Sequence, residues 1–420
     1  MINYTRHILD NGLRVLIHND DSTPMVAVNV LYNVGSKNEN PNKTGFAHLF
    51  EHLMFGGTKN APDFDGPLQL AGGENNAFTN NDYTNFYNTV PADNLEVALW
   101  LEADRMKQLH INKRSLTVQR KVVVEEFKET CINEPYGDVW HILLDMAYPN
   151  HPYNWPTIGK QITHIEDAAI EDVKIFYHTH YTPNNAILSI SGNVQPEEVL
   201  QLVEKWFGNI PSGKTKTEDI NLALQPFQQE GIYRKVRQSN VPLDALYMAF
   251  RMTNRLHKDY YVADMISDVL ANGSSSRLFR RLLKDQKIVS QIDAYISGSI
   301  GPGLFILEAR PSENYTLEQI EKAIWTELQL IIDEGISDNE LQKLKNKLES
   351  SLIFSEVGYL PKAMNLAYFE LLGDVALINN EANIYETLTL GDVKRVAKAL
   401  FQPDNCCILY YEKKLQEVSI

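Results

Sequence analysis

The stretches "EDVKIFYHTHYTPNNAILSISGN" (residues 171–193) and "GDVKRVAKALFQPDNCCILYYEK" (391–413) lie 220 positions apart and share one skeleton. Asp172, Val173 and Lys174 match Asp392, Val393 and Lys394, while Pro183 and Asn185 match Pro403 and Asn405. Each stretch ends in an apolar strand pattern. A second pair recurs at an offset of 216: "HLFEHLMFGG" (48–57) and "DMISDVLANG" (264–273). There Asp264, Ser267 and Asp268 stand in place of His48, Glu51 and His52. Two matches at nearly one offset point to a duplicated unit. The expected class is α+β: two homologous sandwich-like domains, each a mixed or antiparallel sheet with helices packed on it.

Length agrees, since 420 residues with 44% apolar content exceed one compact domain. The polar segment at 208–231 carries Pro211, Gly213, Pro226 and Gly231 and reads as a connection. The expected division is a first copy over 1–212, which carries the His48, Glu51 and His52 set, a linker over 213–231 and a homologous copy lacking that set over 232–420. Near the N-terminus, Asn11-Gly12 between apolar stretches is a hairpin cue. "MVAVNVLYNVGS" (25–36) follows as a β-branched central strand. Gly72-Gly73 then leads into paired strands, and two amphipathic helical patterns cover 93–109 and 115–130.

A net charge of −15 argues against nucleic acid, whose backbone calls for a basic patch. Cys131, Cys406 and Cys407 form neither a disulfide framework nor a CxxC clip, and sparse thiols suit a reducing compartment. With no secretory-signal pattern and no run of 18 apolar residues, the chain is expected to be soluble and cytoplasmic, without a membrane partner.

His48, Glu51 and His52 fall on one face of an otherwise apolar helix, whose other sides carry Leu49, Phe50, Leu53 and Met54. Unpaired polar groups in such a setting cost several kcal/mol, and a metal ion would satisfy all three. His-x-x-Glu-His is the reversed zinc-protease motif: two imidazoles one turn apart reach one zinc, and the glutamate serves the water as general base. A bland surface pair is the alternative. With 11 His and 54 acidic residues, about 0.04 such motifs arise by chance, and the apolar flanks do not suit an exposed helix.

A catalytic zinc wants a third protein ligand and an open position. Glu125, Glu126 and Glu129 are the candidates in the next helical segment. Glu126 shares a stripe with Gln119, Val122 and Val123, whereas Glu125 lies off it, so Glu126 is chosen and Glu129 stands second. His178 and His180 read as a packed, hydrogen-bonded pair near a helix-to-strand join rather than as a second ligand pair on a strand. His151, in a Pro-rich turn, reads as structural. No Gly-rich phosphate loop occurs, and the charges of "SSSRLFRRLLKDQK" (274–287) read as a solvated helix face.

With "HLFEH", "GGENNAFTNNDYTNFYNTVP", "VVVEEF", "NHPYNWPTIG" and "YTPNNAILSISGN", the chain resembles the inverzincin peptidases of the pitrilysin, insulysin and mitochondrial processing peptidase family along essentially its whole length. The resemblance is to the shorter bacterial members, in which two chains enclose a peptide chamber. It implies one Zn2+ per chain on His48, His52 and Glu126, with Glu51 as general base. It also implies a sheet edge at Asn76, Ala77, Phe78 and Thr79 that takes the peptide substrate as an added strand, giving affinity with little sequence preference.

Two departures stand out. Gln119 occupies a position where many active members carry a second glutamate. Leu283 and Ser290 fall where a substrate-binding Arg and Tyr belong, and neither side chain can steady an oxyanion. The resemblance therefore implies the zinc-bearing half of a heterodimer whose homologous partner supplies that pair. The alternative is a homodimer in which Arg280, Arg281 or Tyr295 substitutes. A non-catalytic scaffold subunit and a structural zinc site are the rival classes. The scaffold has no need of an intact metal set, and structural sites are closed by four protein ligands.

Overall fold

A computed structural model of the chain describes residues 1–214 and 231–414. They pack as two compact units. One holds Met1–Lys128, the described part of Trp155–Asn221, and Leu352–Glu381; the other holds Glu129–Asn154, the described part of Leu222–Ser351, and the described part of Ala382–Ile420. The units thus interleave along the chain. Glu129–Asn154 buries Val139, Leu143 and Met146 in a core with Tyr247, Ala249, Ile306 and Leu409. The helix Tyr359–Leu371 returns to the first unit, where Ala363, Leu366 and Ala367 are fully buried and the Ala363 carbonyl accepts from Ser189 Oγ at 2.5 Å. The linker expected at 213–231 lies outside the described residues except for Gly213, Lys214 and Gly231. Among the described residues no helix is long and apolar enough to cross a membrane.

The first unit is built on six strands: β1 (Thr5–Ile8), β2 (Arg14–Asn19), β3 (Met25–Tyr32), β4 (Glu74–Thr79), β5 (Thr84–Pro91) and β6 (Ala186–Gly192). They are ordered β1-β2-β6-β3-β5-β4. The hairpin forms at Asn11-Gly12, where Gly12 takes φ +87° and the Asn11 amide donates to the Phe207 and Ile210 carbonyls at 2.8 and 3.0 Å. β3 is interior to the sheet and β4 ends it. β6 runs parallel to β2 and antiparallel to β3, which makes the sheet mixed.

The second unit has β7 (Tyr233–Ser239), β8 (Ala245–Arg251), β9 (Val289–Ile296), β10 (Leu304–Pro311) and β11 (Cys406–Lys413), ordered β7-β11-β8-β10-β9. Strand for strand this repeats β2-β6-β3-β5-β4, with β11 parallel to β7 and antiparallel to β8. The duplication reaches single hydrogen bonds. Asn185 Nδ2 donates to the carbonyls of His180 (2.8 Å) and Asn33 (3.2 Å), and Asn405 Nδ2 to those of Leu400 and Arg251 (both 2.9 Å). Each amide ties the last carbonyl of a helix, Ile170–His180 or Leu390–Leu400, to the end of a strand of its own sheet, at Asn33 just past β3 or at Arg251 on β8. That shared task accounts for the asparagine that keeps register in both copies.

The helix Leu95–Gln108 packs on the first sheet with charged residues inside. Glu102 and Arg105 are both 0% exposed and paired, with Arg105 Nε donating to Glu102 Oε2 at 2.9 Å. Asn88 also donates to Glu102, and the guanidinium lies 5.4, 4.5 and 4.4 Å from the ring centres of Phe55, Phe64 and Phe86. Removing one partner leaves the other buried and uncompensated. Glu102→Leu should therefore cost about 3–5 kcal/mol in urea unfolding, and Glu102→Leu combined with Arg105→Met should cost less than the two single changes added together.

Candidate metal centre

The helix Phe46–Leu53 buries Phe46, Ala47, Leu49, Phe50 and Leu53. Phe50 stacks on Phe176, Tyr177 and Tyr181 at centroid distances of 5.2, 6.4 and 5.1 Å. With those positions committed to the core, His48, Glu51 and His52 occupy the remaining face, each partly exposed. The helix start is anchored by a carboxylate. Gly45 N and Ala47 N donate to Glu39 Oε2 and Oε1 at 2.8 Å each, and Trp155 Nε1 donates to Oε2 at 2.9 Å. Burial pushes the Glu39 carboxyl up to about 8, against the downward pull of those donors. Gly45 has φ +87°, and a Cβ there would come within 2.6 Å of Ile165 Cδ1 and 2.8 Å of the Ile158 carbonyl, so the helix begins flush against Ile158 and Ile165.

His48 Nε2 and His52 Nε2 stand 3.4 Å apart. Glu126 closes the group, with Oε1 3.5 Å from His48 Nε2 and Oε2 3.3 Å from His52 Nε2. One ligand atom from each residue lies within 4.8 Å of the others. Two imidazole nitrogens bound at 2.0–2.1 Å to a single tetrahedral zinc are about 3.3 Å apart, so the pair has the spacing that such an ion requires. Burial lowers the His48 pKa and favours the neutral, ligating ring; among the described residues its buried Nδ1 meets no hydrogen-bond partner, and the polar contacts of the ring lie on the Nε2 side. The hydrogen bond with His52 lowers the Glu126 pKa. Three nitrogen and oxygen donors, with no fourth among the described residues, fit a site with an open position.

Glu126 sits on the helix Lys113–Phe127, which starts at Asn112, whose side chain accepts from Arg114 N and Ser115 N at 2.8 and 3.0 Å. Leu116, Val123, Val124 and Phe127 seat this helix. The buried stripe is rotated from the expected one: Val122 is 45% exposed, and Glu126 flanks the stripe rather than lying within it. Glu125 is exposed and pairs with Lys128, while Glu129 is exposed in the second unit.

Glu51 stays out of the trio. Its Oε2 accepts from Thr79 Oγ1 at 2.6 Å. Thr79 belongs to β4 with Asn76, Ala77 and Phe78, and β4 has no strand neighbour on its outer side among the described residues. There Ala77 N donates to Asn76 Oδ1 at 2.8 Å, and Phe78 meets Tyr83 edge-on at 5.8 Å.

His178 and His180 lie on the helix Ile170–His180 and, two residues apart, face different sides, so neither the expected packed, hydrogen-bonded pair nor a ligand pair on a strand forms. His178 is exposed, whereas His180 packs on Phe176 at 4.6 Å and burial lowers its pKa to about 4. His151 is buried in the second unit, stacked on Tyr148 at 5.1 Å and accepting from Tyr153 N. In that unit Leu283 is half-buried and Ser290 is exposed on β9, Arg281 pairs with Glu327, Arg280 is exposed and Tyr295 lies on β9. Two contributors escaped the sequence reading, Glu39 and the Thr79 hydroxyl. Glu39 meets backbone N–H groups and an indole 116 residues away, which leaves no local pattern. For Thr79 a signal existed: strand alternation puts it on the same face as Ala77, which packs against the core.

Residues 14–160 match the family model described as Insulinase (Peptidase family M16), and residues 167–348 match the one described as Peptidase M16 inactive domain. Zinc protease PqqE of Helicobacter pylori is 29% identical over 397 residues, covering 94% of this chain and 89% of that protein. YmxG of Bacillus subtilis, an uncharacterized zinc protease, is 28% identical over 403 residues, covering 95% and 96%. The crystal structure of a protease from Helicobacter pylori aligns with a TM-score of 0.92 at 28% identity, covering 98% of this chain and 100% of that one. Matched in two successive segments by models of one family, and along nearly its whole length by these relatives, the chain belongs to peptidase family M16.

Proposed function

We propose that this chain is a zinc-dependent endopeptidase that hydrolyses short or unfolded peptides inside a chamber formed by a dimer. The observation that carries this reading is the division of labour on one helix face: His48 and His52 converge with Glu126, while Glu51 points instead to the edge strand. The relatives named as zinc proteases support zinc as the metal. His48, His52 and Glu126 would hold it, one ion per chain. Bound there, zinc would supply Lewis acidity that polarises a carbonyl and makes water nucleophilic near neutral pH. Glu51 takes the proton from the attacking water on its carboxylate and delivers it to the leaving amine nitrogen. Asn76, Ala77, Phe78 and Thr79 align the peptide by main-chain pairing. The catalytic half is residues 1–212, joined by 213–231 to a homologous half.

The chain is the zinc-bearing subunit of a heterodimer, and the partner supplies an Arg and a Tyr that Leu283 and Ser290 cannot replace. The engagement of Arg281 with Glu327 weighs against its use as a substitute in a homodimer. A non-catalytic scaffold is disfavoured because all four residues of the set are present together.

The purified, zinc-quantified chain should cleave a quenched peptide library, alone or once its partner is added, and Glu51→Gln should lower the rate about 10²–10⁴-fold with zinc content unchanged. Cleavage retained in Glu51→Gln would refute the assignment of the base. Glu126→Gln should lower zinc retention in a chelator competition, because a neutral amide is a poorer ligand than a carboxylate; wild-type retention would remove Glu126 from the set. Affinity capture from the native organism should recover a homologous subunit, and recovery of this chain alone would end the heterodimer reading.

A further inference from the structure

Glu51 lies between two residues of the metal-type trio on the same helix face, three positions after His48 and next to His52, yet its carboxylate is not part of the trio. Thr79 Oγ1 donates to Glu51 Oε2 at 2.6 Å. That donor is firmly mounted. Thr79 is β-branched and restricted at χ1, and it pairs with Thr84 on β5. Thr84 is fully buried and is itself fixed through its hydroxyl to the Val34 carbonyl at 2.8 Å. On the face it shares with Thr79, Ala77 packs against the core that includes Leu49, Phe50 and Leu53 of the histidine-bearing helix. The hydroxyl is thus aimed at the helix by the strand rather than by its own flexibility.

We propose that Thr79 is a positioning residue for Glu51: its hydroxyl holds the carboxylate away from the metal trio and free to act as a base. This rests on the reading of Glu51 given above and deepens it. The contribution of Thr79 then comes from its side chain as well as from the main chain of the edge. The strand that receives the peptide also sets the base, so a distortion of β4 by a misregistered peptide misplaces Glu51.

The test uses Thr79→Val, which keeps the β-branched shape and removes the donor, beside Thr79→Ser, which keeps the donor. Both are assayed on the zinc-loaded protein in its active assembly. Thr79→Val should lower kcat about tenfold or more with KM within about twofold of wild type, and Thr79→Ser should restore most of kcat. A second readout needs no turnover. In Thr79→Val the released carboxylate can reach the metal, so zinc extraction by a chelator should slow about threefold, and the slowing should vanish in Thr79→Val/Glu51→Gln. Wild-type kcat with wild-type zinc release in Thr79→Val, an effect confined to KM, or Thr79→Ser behaving like Thr79→Val would overturn the proposal. Full cleavage by Glu51→Gln would instead sink the general-base reading, and the zinc-release comparison would still decide whether Thr79 restrains the carboxylate.

Discussion

A buried carboxylate at the start of one helix is the constraint on which the site rests. Glu39 gathers two backbone N–H groups of the first helical turn and the indole N–H of Trp155, joining three separate stretches of chain at one point. A helix start leaves unpaired N–H groups, and side-chain oxygens placed there answer them. The reward is positional. Once the first turn is pinned and Phe50 is stacked among Phe176, Tyr177 and Tyr181, the helix cannot rotate, and the face carrying His48, Glu51 and His52 has only one direction to point.

The same economy of anchoring is visible at the other corner of the fold. The side-chain amides of Asn185 and Asn405 close equivalent helix-to-strand junctions, one in each unit. The metal-type residues were not carried along with this scaffold: the second unit has Asp264, Ser267 and Asp268 at the matching helix positions. The Asp264 carboxylate accepts a hydrogen bond from Tyr385, and that of Asp268 accepts one from Lys347. One copy spends this helix face on a convergent donor set and the other on ordinary packing contacts.

Several of these features were legible in the chain before any coordinates. Asn11-Gly12, the β-branched run of β3 and the offset repeats encode their structure locally, within a few residues or as a periodic pattern. The His-x-x-Glu-His spacing and its apolar flanks mark the helix face, and helical phase sets Glu126 apart from Glu125, although Val122, expected on the buried stripe, is exposed. Long-range effects were not legible. The affiliation of Glu129–Asn154 with the second sheet and of Tyr359–Leu371 with the first depends on tertiary packing that leaves no local period. The burial of Glu102 and Arg105 was hidden as well, because charge on an amphipathic pattern reads as surface until the aromatic cage and Asn88 are in place.

The Asn76 side chain gives the outer edge of the first sheet a property of its own. An open edge invites fusion with the edge of another molecule, the route by which sheets polymerise. Here the Ala77 N–H is already met by Asn76 Oδ1. An incoming strand must displace that bond before forming its own, so the exchange is nearly neutral at this position. At that position an added strand trades one hydrogen bond for another and gains little, so the hold on it comes from the rest of the edge.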